Sequence, residues 1–274
     1  MEAIKEVSMR VDLHTHSTAS DGQYRPRELV KMAKEHNLSL YALTDHDTID
    51  GIAEARLAAL QYDVNFIPGI EISTQLGEEI HILGLRIDET TPALIQACEE
   101  YKKSRLSRGQ RIIDYLNSLG IPITRNDLPE KNDGSLGRPH FAQYLQQNGF
   151  VRTRQEAFDR YLNTPAFHAA TDRKKPTPQE AISLIHSAGG KAFLAHPGLL
   201  KMGKRWQESL IVELCEAGLD GLEVYYFKHT KNQVAFYRRL AIQNHLLCSC
   251  GSDFHGESVK PDVPFGMEID ADIL

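Results

Sequence analysis

The chain has 274 residues, of which 41% are hydrophobic and 25% charged, and its formal net charge of −6 argues against a generic nucleic-acid-coating protein. No apolar run marks a signal peptide or a membrane span, so we expect a cytoplasmic protein without a membrane partner. The four cysteines form no CxxC pair, which argues against both a disulfide framework and a thiolate zinc site.

Strand-like and helix-like patterns alternate along the chain. The first strand is followed by the helical pattern "RPRELVKMAKEHN", with Pro26 near its start. Further on, "VNFIPGIEIS" and "EIHILGLRI" are separated by "TQLGE", which predicts a hairpin. In chain order, the predicted strands lie near residues 10–13, 38–47, 64–73, 79–87, 191–198, 220–226 and 246–256. About seven strands with helices between most of them favour an α/β fold of the (β/α) barrel type over an open sheet.

A stretch of about 90 residues separates the strand that ends near Ile87 from the helix that begins at Thr177. It contains one long helical pattern and two shorter ones, so it is too long and too structured for a loop. We therefore predict a discontinuous barrel, residues 9–88 and 176–265, with a helical insertion, residues 89–175, that forms a lid or substrate subdomain.

Basic charge is concentrated in this insertion. Residues 101–175 contain 14 basic and 7 acidic side chains, a balance of +7. This excess suggests an anionic ligand that is handled locally, although a solvated helical surface would explain it nearly as well. Within the insertion, "GRPHFAQYL" predicts a helix start at which Arg138 and His140 flank Pro139, and backbone N–H groups at such a start favour anions. The alternative for Arg138 is a surface arginine.

Side chains that can bind metal recur where the predicted strands end. His14 and His16 are two residues apart in "VDLHTH", a spacing that places both on one side of a strand. The same kind of side chain recurs in the later strands, and six of the chain's 12 histidines lie at these few points. The nine candidate metal ligands are His14, His16, Asp21, His46, Glu71, His81, His196, Asp253 and His255. In barrel enzymes the ends of the strands form the active-site face, so we expect these side chains to meet there.

Glu71 is the most informative of the nine. A carboxylate between Ile70 and Ile72 is costly unless it is paired or bound to a cation. Taken singly, His14 and His16 could be solvated loop histidines and His81 could face solvent on the hairpin, but five strands with the same feature favour a metal centre. Nine ligands exceed the needs of one ion, and clustered divalent ions can lower the pKa of a water and clamp the oxygens of a phosphoryl transfer. Since no Ser or Cys nucleophile triad is visible, attack of a metal hydroxide on phosphorus is the economical mechanism.

The segments "DLHTHSTASDG", "LTDHDT", "GIEIS", "HILGL", "AHPG" and "GSDFHG" together resemble the PHP family, named for polymerase and histidinol phosphatase. More narrowly, the chain resembles bacterial PHP phosphoesterases that act on nucleoside 3′,5′-bisphosphates and 5′-phosphorylated oligonucleotides. The resemblance covers most of the chain and implies a distorted seven-stranded (β/α) barrel. It also implies two or three divalent ions, commonly manganese, iron or zinc.

The resemblance further implies how the nine ligands are shared. By motif, one metal is held by His14, His16, Glu71 and Asp253, a second by Glu71, His81 and His196, and a third by Asp21, His46 and His255. It also implies that Arg138 and His140 hold a substrate phosphate over the metals.

Three further residues are candidates for the site. Asp45 could orient the neighbouring imidazole of His46, or it could equally cap a turn. Lys228 and His229 follow the strand "LEVYY" and are candidates for contacts with phosphate, against a solvated loop as the alternative. The segment 163–175, "NTPAFHAATDRKK", departs from the pattern of the relatives, which leaves the organic part of the substrate open.

The expected function is hydrolysis of phosphate esters of nucleotides or short single-stranded oligonucleotides. One rival is a small-metabolite phosphomonoesterase such as a histidinol phosphatase, which the +7 insertion suits poorly. Another is a non-catalytic metal-binding PHP module, which the complete ligand set disfavours. Duplex DNA is not an expected partner because the chain has no helix-turn-helix, zinc finger or long basic helix. No obligate protein partner is evident.

Overall fold

A computed structural model describes residues 9–129, 136–172 and 175–269 of the chain. The strands are β1 (Met9–Asp12), β2 (Leu40–Leu43), β3 (Phe66–Leu76), β4 (Glu78–Leu85), β5 (Lys191–Leu194), β6 (Gly221–Tyr226), β7 (Leu247–Gly251) and β8 (Met267–Ile269). The α-helices are α1 (Pro26–Glu35), α2 (Ile52–Tyr62), α3 (Pro92–Ser118), α4 (Arg138–Gln147), α5 (Arg154–Ala157), α6 (Pro165–Thr171), α7 (Pro178–Ser187), α8 (Lys204–Glu216) and α9 (Lys231–Gln243). None of the helices in these ranges combines the length and apolarity that crossing a membrane requires.

The strands form one sheet in the order β7-β6-β5-β4-β3-β2-β1-β8. Beyond β1 the sheet nearly closes on itself, because Leu13 N–H donates to the carbonyl of Cys250 (3.0 Å) and Thr15 bridges to Phe254. The predicted barrel is therefore confirmed, with one strand more than the seven expected. The additional strand, β8, pairs antiparallel with the first three residues of β1, from Met9 to Val11, and is too short to give a periodic sequence signal.

The hairpin between β3 and β4 is also confirmed, and Gly77 with φ +73° forms its turn. The effect of this hairpin on the direction of β4, and so on the position of His81, was not predicted. Because β4 runs antiparallel to both β3 and β5, its first half lies at the edge where the parallel strands end. His81, opposite Ser73 in the register, thus reaches this edge from near the beginning of β4, and the expectation that every candidate lies at a strand's carboxyl end is wrong here.

The barrel is filled by aliphatic side chains and one aromatic ring from successive strands. Buried side chains inside it include Leu13, Ala42, Ile67, Leu83 and Phe193. On the outside, α1 and α2 pack their apolar faces together over β2; their buried residues include Leu29, Val30, Ile52 and Ala55. Burial of these aliphatic faces is the main source of stability, at about 25 cal/mol per Å² of apolar surface.

The chain divides into two compact units, with boundaries between Cys98 and Glu99 and between Lys174 and Lys175. The predicted insertion began ten residues earlier, at residue 89, whereas α3 starts in the first unit and continues into the second. In its described residues the second unit contains helices and no strand, and it has its own core, which includes Ile112, Leu116, Phe141, Leu145 and Phe167. Of the divergent segment 163–175, Arg173 and Lys174 lie outside the described residues.

Candidate metal centre

Glu71 lies at the middle of the centre. The strand β3 carries its carboxylate into the barrel end, where the side chain is fully buried. Its Oε1 lies 2.8 Å from His81 Nδ1 and 3.0 Å from His196 Nε2. Its Oε2 lies 2.9 Å from His46 Nδ1, and 3.2 Å from the Nε2 atoms of both His14 and His16. Five imidazoles from the ends of β1, β2 and β5 and from β4 therefore surround one carboxylate.

Two further carboxylates complete the centre. Asp253 Oδ1, after β7, lies 3.4 Å from His16 Nε2 and 3.8 Å from His14 Nε2. Asp21 Oδ1, in the loop after β1, lies 3.3 Å from His255 Nε2 and 3.9 Å from His16 Nδ1. All nine candidates thus meet at one edge of the barrel.

The ligand atoms form four overlapping groups. Within each group they lie within 4.8 Å of one another: His16, Asp21, His46 and His255; His14, His16 and Asp253; His14, Glu71 and His196; and His46, Glu71 and His81. This grouping differs from the one implied by motif, in which His14, His16 and His46 each served one ion. In the structure these three histidines each belong to two neighbouring groups, and so does Glu71.

Several of these atoms have no hydrogen-bond partner among the described residues. They are His14 Nε2, both ring nitrogens of His16, and Glu71 Oε2, and all are buried. Buried polar atoms almost always find a partner, so four at one point need an explanation. Imidazole nitrogen and carboxylate oxygen are ligands for manganese, iron and zinc, and the donor set therefore fits divalent cations.

The protonation states of His16 and Glu71 suit the same purpose. Burial, followed by the charges of His255 and His46, lowers the pKa of His16 to about 4, so its imidazole is neutral and can bind a metal. Burial alone would raise the pKa of Glu71, but the imidazoles of His46, His14 and His81 hold it well below its ordinary value.

The loops that carry the donors are held by buried carboxylates. Asp45 accepts hydrogen bonds from Ser17 N–H (2.7 Å), Ser17 Oγ (2.7 Å) and Ser20 Oγ (2.6 Å). These contacts fit the prediction that Asp45 caps a turn, and not the alternative that it orients the imidazole of His46. Asp47, His196 and Asp253 have positive φ angles of 57°, 28° and 61°, so the backbone is strained at three points of the centre.

Asp12 was not predicted as part of the site. It is fully buried and accepts from Ser252 Oγ (2.6 Å), Ser252 N–H (3.0 Å) and Gly266 N–H (2.9 Å), which ties β1 to the loop that carries Asp253. The signal that marked Glu71 was present here too, since Asp12 lies between Val11 and Leu13.

Lys260 and Tyr226 were also missed. Lys260 Nζ lies 2.7 Å from Asp253 Oδ2, and the Tyr226 hydroxyl donates to the same oxygen at 3.2 Å. Both therefore occupy the outer oxygen of Asp253 and leave Oδ1 for the centre. Neither lies in a motif that would have marked it in the sequence.

A cavity of about 240 Å³ adjoins the centre on the side of His81 and His196. Glu79, Leu199, Leu200 and Lys201 complete its lining. Leu199 is 47% exposed, so this side of the centre presents apolar surface, the carboxylate of Glu79 and the ammonium group of Lys201.

His229 was predicted to contact phosphate, and its geometry does not support this. Its Nδ1–H donates to the carbonyl of Val224 (3.0 Å), and its Nε2 accepts from Gly198 N–H (3.0 Å). A neutral imidazole satisfies both bonds, burial lowers the pKa of His229, and no ring nitrogen remains for a ligand. The neighbouring Lys228 is exposed at the end of β6.

Arg138 and His140 lie in the second unit, at the start of α4 as predicted. Arg138 is half-buried and its Nη1 donates to Asn163 Oδ1 (3.3 Å), which also lies 3.1 Å from His168 Nε2. His140 Nδ1 accepts from Gly137 N–H (3.0 Å), so this imidazole caps its own helix.

The chain is similar to proteins of assigned activity. A family model described as "PHP domain" matches residues 12–171. A 5′-3′ exoribonuclease of Haemophilus influenzae is 41% identical over 252 residues, which are 91% of each chain. A 3′,5′-nucleoside bisphosphate phosphatase of Chromobacterium violaceum is 35% identical, with 89% of this chain and 87% of that protein covered. A crystal structure of a candidate metal-dependent phosphoesterase from Bifidobacterium adolescentis matches with a TM-score of 0.75 and 30% identity over 90% of this chain and 87% of that one.

Proposed function

The chain belongs to the PHP family, and from this premise we propose that it is a divalent-metal-dependent phosphoesterase that acts on nucleotides. The substrates we propose are nucleoside 3′,5′-bisphosphates and short 5′-phosphorylated single strands. The observation that carries the proposal is the convergence of six imidazoles and three carboxylates on one barrel edge, with Glu71 within 3.2 Å of five of the imidazoles.

The nine converging side chains would hold two or three ions, and manganese, iron and zinc suit their nitrogen and oxygen donors. When bound, such ions lower the pKa of water and neutralise charge that develops on a phosphoryl group. The carboxylates of Glu71, Asp21 and Asp253 offset part of their positive charge, and Glu71 faces two donor groups at once. Lys260 and Tyr226 hold Asp253 so that its Oδ1 stays directed at His14 and His16.

The rest of the substrate needs its own contacts. The cavity beside His81 and His196 offers the apolar side chains of Leu199 and Leu200 to a sugar or base, and Lys201 at its lining suits a further phosphate. In the insertion, Arg138 offers a planar guanidinium at a helix start, which is suited to bidentate phosphate binding. The +7 balance of residues 101–175 supports an anionic substrate with more than one phosphate.

The test is hydrolysis of a panel of phosphate esters by purified protein supplied with Mn²⁺. The panel contains a nucleoside 3′,5′-bisphosphate, a 5′-phosphorylated short RNA, histidinol phosphate and an aryl phosphodiester. We expect kcat/KM to be highest on one of the first two. Preference for histidinol phosphate would place the protein with the small-metabolite phosphatases, and failure on every ester despite bound metal would favour a non-catalytic module.

A further inference from the structure

Glu223 is a buried carboxylate that the donor set does not include. It lies in β6 between Leu222 and Val224, and the side chains of all three residues are fully buried. A carboxylate in such surroundings is retained only if hydrogen bonds compensate its loss of water. Its two partners identify its purpose.

Each oxygen of Glu223 contacts a different candidate ligand. Its Oε1 lies 2.9 Å from His14 Nδ1. Because an ionised carboxylate can only accept, His14 carries a proton on Nδ1, which leaves Nε2, 3.2 Å from Glu71 Oε2, as the ring nitrogen that can bind a metal. Its Oε2 accepts from the backbone N–H of His196 at 2.6 Å, where the backbone has φ +28°.

The surrounding backbone leaves space for this arrangement. A Cβ atom at Gly251 would lie 2.3 Å from His14 Cβ and 2.5 Å from Glu223 Oε1, so only glycine fits there without displacing both. The carboxylate, the imidazole and the glycine therefore form one fixed contact between β1, β6 and β7.

On the premise of the proposed metal centre, we infer that Glu223 is a positioning residue that sets two donors for metal before the metal arrives. It fixes the tautomer and direction of the His14 ring, and it holds the backbone that carries the His196 ring. Partners of this kind, which contact ligands and not the ion, commonly contribute ten- to hundred-fold to metal affinity.

The test is the Mn²⁺ affinity of metal-stripped protein, measured by competition with a fluorescent chelator. Glu223→Gln keeps the shape of the side chain but has one acceptor oxygen where two N–H groups need one each. We expect it to bind Mn²⁺ about ten- to hundred-fold more weakly than the unmodified protein. The matched control is Tyr237→Phe, which removes a buried hydrogen bond to Gln207 (2.7 Å) in the same unit, and neither residue is one of the nine donors. It should keep the Mn²⁺ affinity.

An affinity for Glu223→Gln within about twofold of the unmodified protein would overturn the inference, and so would an equal loss in Tyr237→Phe. Absence of Mn²⁺ binding by the unmodified protein would instead refute the proposed metal centre itself. A second measurement needs no variant: nitrogen-15 NMR of labelled histidines should show His14 protonated on Nδ1, both metal-free and with Zn²⁺ bound. A ring with its proton on Nε2 alone would contradict the role of Glu223 even if Glu223→Gln failed to fold.

Discussion

Replacement of Glu71 by glutamine tests the centre of the proposed site. Glu71→Gln keeps the volume of the side chain but removes its charge and turns one of its two oxygens into an NH₂ group. In the structure the two oxygens face five imidazole nitrogens at 2.8–3.2 Å. An NH₂ group cannot bind a cation, so one of the two donor groups that share Glu71 loses a ligand.

The magnitude follows from the burial of Glu71. Removing one partner of a buried ionic contact costs about 3–5 kcal/mol. At about 1.4 kcal/mol for each factor of ten, this corresponds to a hundred-fold to several-thousand-fold loss of Mn²⁺ affinity. We expect a similar loss in kcat/KM on the best substrate, because a site without its ions lacks the charge neutralisation that they supply to the phosphoryl group.

The assay combines metal content, from elemental analysis of protein purified without chelator, with kcat/KM at the lowest Mn²⁺ concentration that saturates the unmodified protein. The matched control is Glu208→Gln in α8, where the carboxylate is 40% exposed and contacts Arg239 (2.9 Å), which is not one of the nine donors. It should lose less than ten-fold in either quantity. If Glu71→Gln kept its metal and its activity within ten-fold, the assignment of Glu71 as a shared ligand would be wrong.

Three other outcomes are expected. Arg138→Ala should lower kcat/KM about ten- to hundred-fold, since hydrogen bonds to charged groups contribute about 1.5–3 kcal/mol. Its metal content should stay unchanged. If the variant and the unmodified protein had equal kinetics, Arg138 would be an ordinary surface residue. Leu199→Ala should raise KM for a nucleotide more than for an aryl phosphate, and an equal rise for both would remove the cavity from the substrate site. In metal-free protein, burial opposes protonation of His81 but the Glu71 carboxylate outweighs it and raises the pKa of His81 to about 10. The resulting stabilisation is complete below the unfolded pKa of about 6.5 and is lost as the pH rises towards 10. The free energy of unfolding of metal-free protein, measured in urea, should therefore fall from pH 6.5 to 9. Mn²⁺-loaded protein should show a smaller decline, because metal-bound imidazoles are neutral throughout. Equal declines in the two forms would contradict a stabilising charge on His81.

The sequence determined the parts of this protein that depend on local pattern. Alternating strand and helix signals were enough to predict the barrel, and the hairpin of β3 and β4 followed from two apolar runs around "TQLGE". The nine candidate donors could be named because each lies in a short polar break at or beside an apolar run. Glu71 was the clearest, since a carboxylate among isoleucines needs a partner wherever the chain places it.

Only the tertiary structure decided which donors share a group and which candidates are committed elsewhere. His81 enters from the first half of β4 because that strand pairs antiparallel with both neighbours, and pairing between distant segments leaves no local signal. The ring of His229 is committed to Val224 and Gly198, and Asp45 to Ser17 and Ser20. The role of Glu223 rests on His14, 209 residues away in sequence. A side chain's chemistry can be read from its type, but its hydrogen-bond partners depend on register and backbone direction, which the folded barrel sets.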